Sequence, residues 1–136
     1  MITWVTDNIA IGDADDSRSA DNKIFNATLN VAIDLDIEDT FEWRHKVGLL
    51  DGIGNHPQTF LAAVLLLDSL VQQDKKVLVH CQSGTSRSVM VVSAWIKMKG
   101  YASLKEALDQ IMPLRKVNYY RPELYELALK ALGVTD

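Results

Sequence analysis

A chain of 136 residues with 48% hydrophobic and 24% charged side chains has the size and composition of a single folded domain, residues 1–136. Its formal net charge of −4, from 14 basic and 18 acidic side chains, excludes the basic stripe of a nucleic-acid binder; any positive potential has to be concentrated locally. Met1 to Asp7 lacks the basic and apolar regions of a signal peptide, no run of eighteen apolar residues offers a membrane span, and the lone cysteine excludes an internal disulfide framework. The expectation is a monomer in a reducing compartment, the cytoplasm, with no membrane or nucleic-acid partner.

Residues 2–5 and 9–11 read as short strands separated by a turn at Asp7-Asn8, followed by a polar loop or short helix from Gly12 to Lys23. Thr28 to Ile33 and Lys46 to Leu50 read as two further strands. Asp51-Gly52-Ile53-Gly54-Asn55-His56-Pro57 is a loop ending on a proline suited to a first helical turn. From Gln58 to Gln73, Phe60, Leu61, Val64, Leu67, Leu70 and Val71 recur at helical spacing. After a turn at Asp74-Lys75-Lys76, the compact run Val77-Leu78-Val79 suits a strand buried on both faces. Ser88 to Lys99 is an apolar core helix stopped by Gly100. Ser103-Leu104-Lys105-Glu106 has the spacing of a capping box, for a helix running towards Pro113. Arg121-Pro122-Glu123 opens a last amphipathic helix through Leu132, with Gly133 at its exit. The fold class is therefore α/β: a central, mostly parallel sheet with helices on both faces. Ligands of such sheets bind beyond the carboxyl ends of the strands.

The chemistry lies in His80-Cys81-Gln82-Ser83-Gly84-Thr85-Ser86-Arg87-Ser88, between the buried strand and the core helix. Gln82, Ser83, Gly84, Thr85 and Ser86 form a small, polar run in which successive backbone N–H groups can make an anion-binding nest. The helix starting near Arg87 adds unpaired amides and its positive dipole end, and Arg87 can fork onto two phosphate oxygens. A thiolate, not a thiol, is the nucleophile, and helix N-termini beside cations are where thiolates form. Phosphate transfer to Cys81 would split hydrolysis into two easier steps. Ser88 can donate to the sulfur as it leaves in the second step, and His80 orients the loop rather than acting as the base. A lone cysteine is more often a small buried hydrophobe. Finding His, Gly, Arg and Ser at these offsets by chance is an event on the order of one in 10⁵ at ordinary composition.

The pattern H-C-x5-R-S after a buried strand resembles the signature of the cysteine-dependent protein tyrosine phosphatase superfamily. The small size, the S-R-S ending and the apolar helix behind it resemble its dual-specificity branch. Asn8-Ile9-Ala10-Ile11-Gly12 resembles that branch's opening strand and Asn30-Val31-Ala32 the end of its second, so the likeness covers nearly the whole chain. The family also uses an aspartic acid about thirty residues before the cysteine to protonate the leaving oxygen and then activate water. The resemblance places that role on Asp51, thirty positions before Cys81, with Asp36 next and Asp34 and Asp39 as further candidates. It also places a supporting polar residue at Asn118. Ala94-Trp95-Ile96-Lys97 departs from the family's usual Ala-Tyr-Leu-Met-like stretch, a change of packing.

No cofactor is expected, and no metal: no Cys/His cluster has zinc-like spacing and no carboxylate set suggests magnesium. The expected partner is a phosphorylated protein or peptide. The expectation is a chain without the N-terminal segment with which tyrosine-specific members deepen their pocket, and its phosphate-binding loop lacks a lysine. Both features point to a shallow site that takes phosphotyrosine together with phosphoserine or phosphothreonine, and away from lipids. The alternatives are a phosphatase of a nucleotide, RNA end or glycan, a catalytically idle phospho-binding module, and a sulfurtransferase carrying a persulfide on Cys81.

Overall fold

The computed structural model describes residues 1–37 and 43–136. In chain order the elements are β1 (Thr3–Trp4), β2 (Ile9–Gly12), α1 (Ala14–Arg18), β3 (Ala27–Ala32), β4 (Arg44–Leu49), α2 (Pro57–Gln72), β5 (Val77–His80), α3 (Arg87–Met98), α4 (Leu104–Leu114) and α5 (Pro122–Leu132). The strands form one sheet in the order β1-β2-β5-β3-β4, antiparallel only between β1 and β2.

Strands buried on both faces read as continuous apolar runs, and β5 at the centre of the sheet is such a strand. Its side chains alternate between two layers. Val77 and Val79 join Ile9, Ile11, Leu29 and Val31 in the main core, against Phe60 of α2, Val91 of α3, Leu108 of α4 and Leu124 of α5. Leu78 points the other way, into a small cluster with Ala10 and Phe25, edged by Ala20 and Trp43. Helices thus flank both faces unequally: α2 to α5 pack on one, and the five-residue α1 with its following loop on the other. No helix among the described residues is long and apolar enough to cross a membrane.

The element boundaries show where local chemistry outweighs periodicity. The polar segment after Gly12 contains α1 because Asp13 accepts from Asp16 N at 2.8 Å while the Asp16 carboxylate accepts from Asp13 N at 2.9 Å. This is a capping box with aspartate where glutamate is usual. β3 starts one residue earlier than expected and releases Ile33, which is exposed. β4 starts at Arg44, two residues ahead of the apolar pattern. The Ser103 box is present, with Glu106 N donating to Ser103 Oγ at 3.0 Å, and its loss should cost about 1 kcal/mol.

Two helix ends differ in an instructive way. α5 stops on Gly133 in the left-handed conformation, φ 68°. α4 runs one residue past Pro113 and makes the same kind of turn with Lys116 at φ 58°, Val117 N reaching Met112 O at 2.9 Å and Lys116 N reaching Pro113 O at 3.1 Å. A side chain in that conformation costs about 1 kcal/mol relative to glycine.

β2, β3, β4 and β5 are parallel, so their carboxyl ends lie along one edge of the sheet. Asp13, Asp34, Asp51 and Cys81 follow those ends within two residues.

Candidate active site

Cys81 leaves the end of β5 and is 1% exposed, its Sγ lying 3.3 Å from Ser88 Oγ in the first turn of α3. The residues between them are shaped mainly by their carbonyls. The Gln82 carbonyl accepts from Ala14 N at 3.0 Å, and the Gly84 carbonyl accepts from Arg115 Nε at 2.8 Å. Both carbonyls are thus tied to groups outside the loop. Among the described residues, the backbone amides of Gln82 through Ser86 have no hydrogen-bond partner. Free amides with committed carbonyls make an anion nest.

Gly84 sits at φ +69°, and a Cβ there would lie 2.5 Å from Gly12 O and against the Arg115 guanidinium, so no other residue fits. The Ser83 and Thr85 hydroxyls bond each other at 2.6 Å across the top of the turn.

Arg87 is buried and uses one nitrogen for its own support: Nη1 donates to Asp34 Oδ1 and, at 2.8 Å, to Leu49 O. Its Nε is buried with no partner among the described residues, a donor suited to a bound phosphate oxygen. The hydrogen bond from Arg87 holds the Asp34 carboxyl below the usual carboxylate range. Gln82 Nε2 also donates to Asp34 Oδ2, at 3.3 Å. Asp34 is therefore the partner of Arg87.

The other acid candidates separate clearly. Asp51 follows β4 and reaches the loop, where its Oδ1 accepts from Ser86 Oγ at 2.7 Å and pairs with Arg121 Nε at 3.1 Å. Asp36 is 90% exposed and paired with Lys46 at 2.8 Å, with no bond to the loop among the described residues. Asp39 lies outside the described residues. Asn55 closes the segment that carries Asp51: its Oδ1 accepts from Leu50 N and its Nδ2 donates to Leu50 O, each at 2.8 Å, and to Gly52 O at 3.2 Å.

His80 is buried beneath the loop, and its Nδ1 has no partner among the described residues. Burial lowers its pKa to about 4, so the ring is neutral and unsuited to serve as a charged acid. Asn118 lines the cleft without a hydrogen bond to the loop; the support expected of it comes from Arg115 instead. Arg115 is buried, and its Nη1 also donates to Met1 O, to Thr3 Oγ1 at 3.1 Å and to Ile11 O at 3.2 Å.

A cleft of about 340 Å³ opens beside the nest, lined by Asp51, Ser83, Thr85 and Ser86 on one side and by residues 116–121 on the other. Those latter residues supply a wall that the sequence pattern did not reveal, including Tyr119, 68% exposed, and Tyr120, stacked on Tyr125 at 5.0 Å. No group of three or more His, Cys, Asp or Glu among the described residues is placed to hold a metal ion.

The family model for the dual specificity phosphatase catalytic domain matches residues 13–127, from the α1 cap into α5. The chain belongs to this family. Human dual specificity protein phosphatase 4 is 30% identical over 95 residues, which cover 67% of this chain and 24% of that protein. Human dual specificity protein phosphatase 9 is 30% identical over 112 residues, covering 76% and 29%. The family member described here thus spans about a quarter of the length of these curated relatives. Among solved structures, human DUSP28 superposes with a TM-score of 0.81 at 17% identity, covering 98% of this chain and 96% of that one. OH1 from the Orf virus, a tyrosine phosphatase, superposes with a TM-score of 0.70 at 20% identity, covering 96% and 84%. At such identities the likeness is one of fold.

Proposed function

We propose that this chain is a phosphatase of protein side chains, hydrolysing phosphotyrosine and also phosphoserine or phosphothreonine through a phosphocysteine at Cys81. The observation that carries the reading is the convergence of three groups on one loop: the Cys81 sulfur beside Ser88, five unpartnered amides, and the Asp51 carboxyl bonded to Ser86.

In the first step the Cys81 thiolate attacks phosphorus as the bond to the side-chain oxygen breaks. Asp51 gives its proton to that leaving oxygen. The three remaining phosphate oxygens take the amides of the nest and the free edge of the Arg87 guanidinium, where charge develops in the transition state. In the second step the Asp51 carboxylate removes a proton from water, whose oxygen attacks phosphorus. The P–S bond breaks, inorganic phosphate leaves, and the returning thiolate is steadied by the Ser88 hydroxyl. Tyr119 and Tyr120 beside the nest favour a phosphotyrosine ring, and the phenolate leaves more readily than an alkoxide.

The test compares kcat/KM on matched peptides that differ only in the phosphorylated residue, with p-nitrophenyl phosphate as a common reference. Wild type should turn over all of them, fastest on phosphotyrosine, and Cys81→Ser should lose activity on the order of 10⁴-fold or more while still binding phosphopeptide. Serine-variant turnover near the wild-type rate would refute the nucleophile. Fast hydrolysis of a nucleotide or sugar phosphate with none of peptides would move the substrate outside proteins. Phosphopeptide binding without turnover would make the chain an idle binding module.

A further inference from the structure

The last helix begins on an aromatic pair that the reaction leaves unused. α5 has Arg121 as its N-cap and Pro122 as its first residue, so Tyr120 sits one position before the cap and Tyr125 at the fourth helical position. These are the two positions of a hydrophobic staple, and their rings stack with centroids 5.0 Å apart and planes 25° from parallel. Tyr120 also lines the cleft. Tyr125 is held at its other end, where its hydroxyl donates to Asp136 Oδ2 at 2.5 Å. The same carboxylate accepts from Leu104 N at 2.7 Å and Lys105 N at 3.1 Å, the first two amides of α4, with Lys97 Nζ 3.7 Å away. The bond to Asp136 pushes the Tyr125 hydroxyl up to about 12, so it remains a donor throughout the neutral range. Tyr119, the neighbouring aromatic of the cleft, is 68% exposed and has no ring contact or hydrogen bond among the described residues. One cleft tyrosine is braced from behind and the other is not.

We propose that Tyr125 is a positioning residue for phosphotyrosine: braced by Asp136, it holds Tyr120 as the fixed aromatic wall on which the substrate ring packs, and so sets the preference for phosphotyrosine over phosphothreonine. This rests on the protein side-chain reading above and names the residues behind its order of preference. A ring fixed before binding loses no rotamer freedom when the substrate arrives. An unbraced ring such as Tyr119 has to be ordered on binding, which weakens the complex. Phosphothreonine has a methyl group where phosphotyrosine has a ring, so it gains little from the wall. A staple alone would steady the entry to α5. It does not require the bond from Tyr125 to Asp136, which ties the pair to the start of α4 and fixes the far end of the ring. Among the described residues, Cys81, Asp51 and Ser86 have no hydrogen bond to Tyr120, Tyr125 or Asp136, so removing the brace should change ring recognition and leave phosphate recognition as it was.

The probes are two peptides of one sequence, carrying phosphotyrosine or phosphothreonine at the same position. Peptide dissociation constants are measured on the Cys81→Ser protein, and kcat, KM and vanadate affinity with Cys81 in place. Tyr125→Leu should weaken the phosphotyrosine peptide about fivefold, the size of one aromatic pair, and leave the phosphothreonine peptide and vanadate within about twofold. Tyr125→Phe and Asp136→Asn keep the stack and remove the brace, and each should lose about threefold on phosphotyrosine alone. With Cys81 in place the loss should fall on KM, kcat staying within about twofold. In a Tyr120→Leu background, Tyr125→Leu should change the ratio between the two peptides by less than about twofold, because its effect travels through Tyr120. Equal weakening of both peptides would make Tyr125 a purely structural residue and overturn the proposal, as would a full Tyr125 effect in the absence of Tyr120. If Tyr125→Leu does not fold, an unchanged ratio in Tyr125→Phe and Asp136→Asn overturns it instead. Absence of turnover, with the affinity ratio shifting as described, would strike the phosphatase reading and support the positioning role; turnover with an unshifted ratio would strike the positioning role alone.

Discussion

The segment from Cys81 to Ser88 holds its shape through main-chain groups. Its carbonyls are tied to Ala14 and Arg115, its turn admits only glycine at position 84, and its sulfur is buried. The segment from Leu50 to Pro57 faces the same cleft and is held through side chains: Asn55 staples it, while Ser86 and Arg121 grip the Asp51 carboxyl, whose side chain is 32% exposed. A main-chain nest binds any phosphate with the same geometry. A side-chain clasp can be rearranged by the substrate. The division suits a site in which phosphate recognition is fixed and proton delivery has to adapt to different leaving groups, and it predicts that the two segments fail in different kinetic parameters.

After the loss of the nucleophile itself, the largest effect should come from Asp51→Asn, which keeps the size of the side chain and removes the proton. A fall in kcat of about 10²–10⁴ on phosphopeptides is expected, with affinity for vanadate unchanged because the nest is untouched. The fall should be smaller for p-nitrophenyl phosphate, whose leaving group needs little protonation. An equal fall on both substrates would show that Asp51 holds the loop rather than delivering a proton.

Arg115→Lys tests the opposite segment. Lysine keeps the charge but cannot reach Gly84, Ile11 and Thr3 together, so the Gly84 carbonyl is released and the nest loosens. Misplacing a site by about 1 Å can cost about 10²-fold, and here the loss should appear both in kcat/KM and as weaker vanadate binding. A fall in kcat with unchanged vanadate affinity would erase the distinction between the segments. Asn55→Ala should do less, roughly a tenfold drop in kcat with vanadate affinity preserved, because it frees Asp51 without moving the nest.

Much of this arrangement was legible in the sequence for the reason the two segments differ. The nest depends on a contiguous run, and a strand, a glycine and an arginine at fixed offsets in that run are enough to indicate it. The parallel sheet was readable because buried central strands such as Val77-Leu78-Val79 are apolar throughout. Arg115, Arg121, Asn55 and the role of Asp34 were not readable, because each acts across 31 or more positions of sequence or through a local turn with no periodic signature. Arg115 in particular looks like an ordinary basic residue at a helix end; only the fold brings Gly84, Met1 and Ile11 to it. The family's polar position falls on Asn118, although the loop's hydrogen bond comes from Arg115, three residues earlier.

The smallest effect on catalysis at neutral pH, and the one that probes what lies beneath the nest, concerns His80. Burial is the main cause of its low pKa, about 4 against an ordinary 6.5; Arg44 and Arg18 act in the same direction, and Asp16 and the nearby Cys81 backbone oppose them. Between these two values the unfolded chain binds a proton that the folded chain refuses, so stability rises with pH across the window and falls as pH drops from about 6.5 towards 4. The full loss below the window is about 3 kcal/mol. The lowered carboxyls of Asp16, Asp34, Asp68 and Asp136 lose their contribution only below the ordinary aspartate value of 3.8, so the histidine window stands apart from theirs. Urea unfolding at a series of pH values should therefore show a decline between pH 6.5 and 4 in wild type that His80→Asn flattens, whatever the variant's stability at pH 7. A decline of the same size in the variant would assign the proton to another group and would mean that the ring beneath Cys81 is not excluded from water.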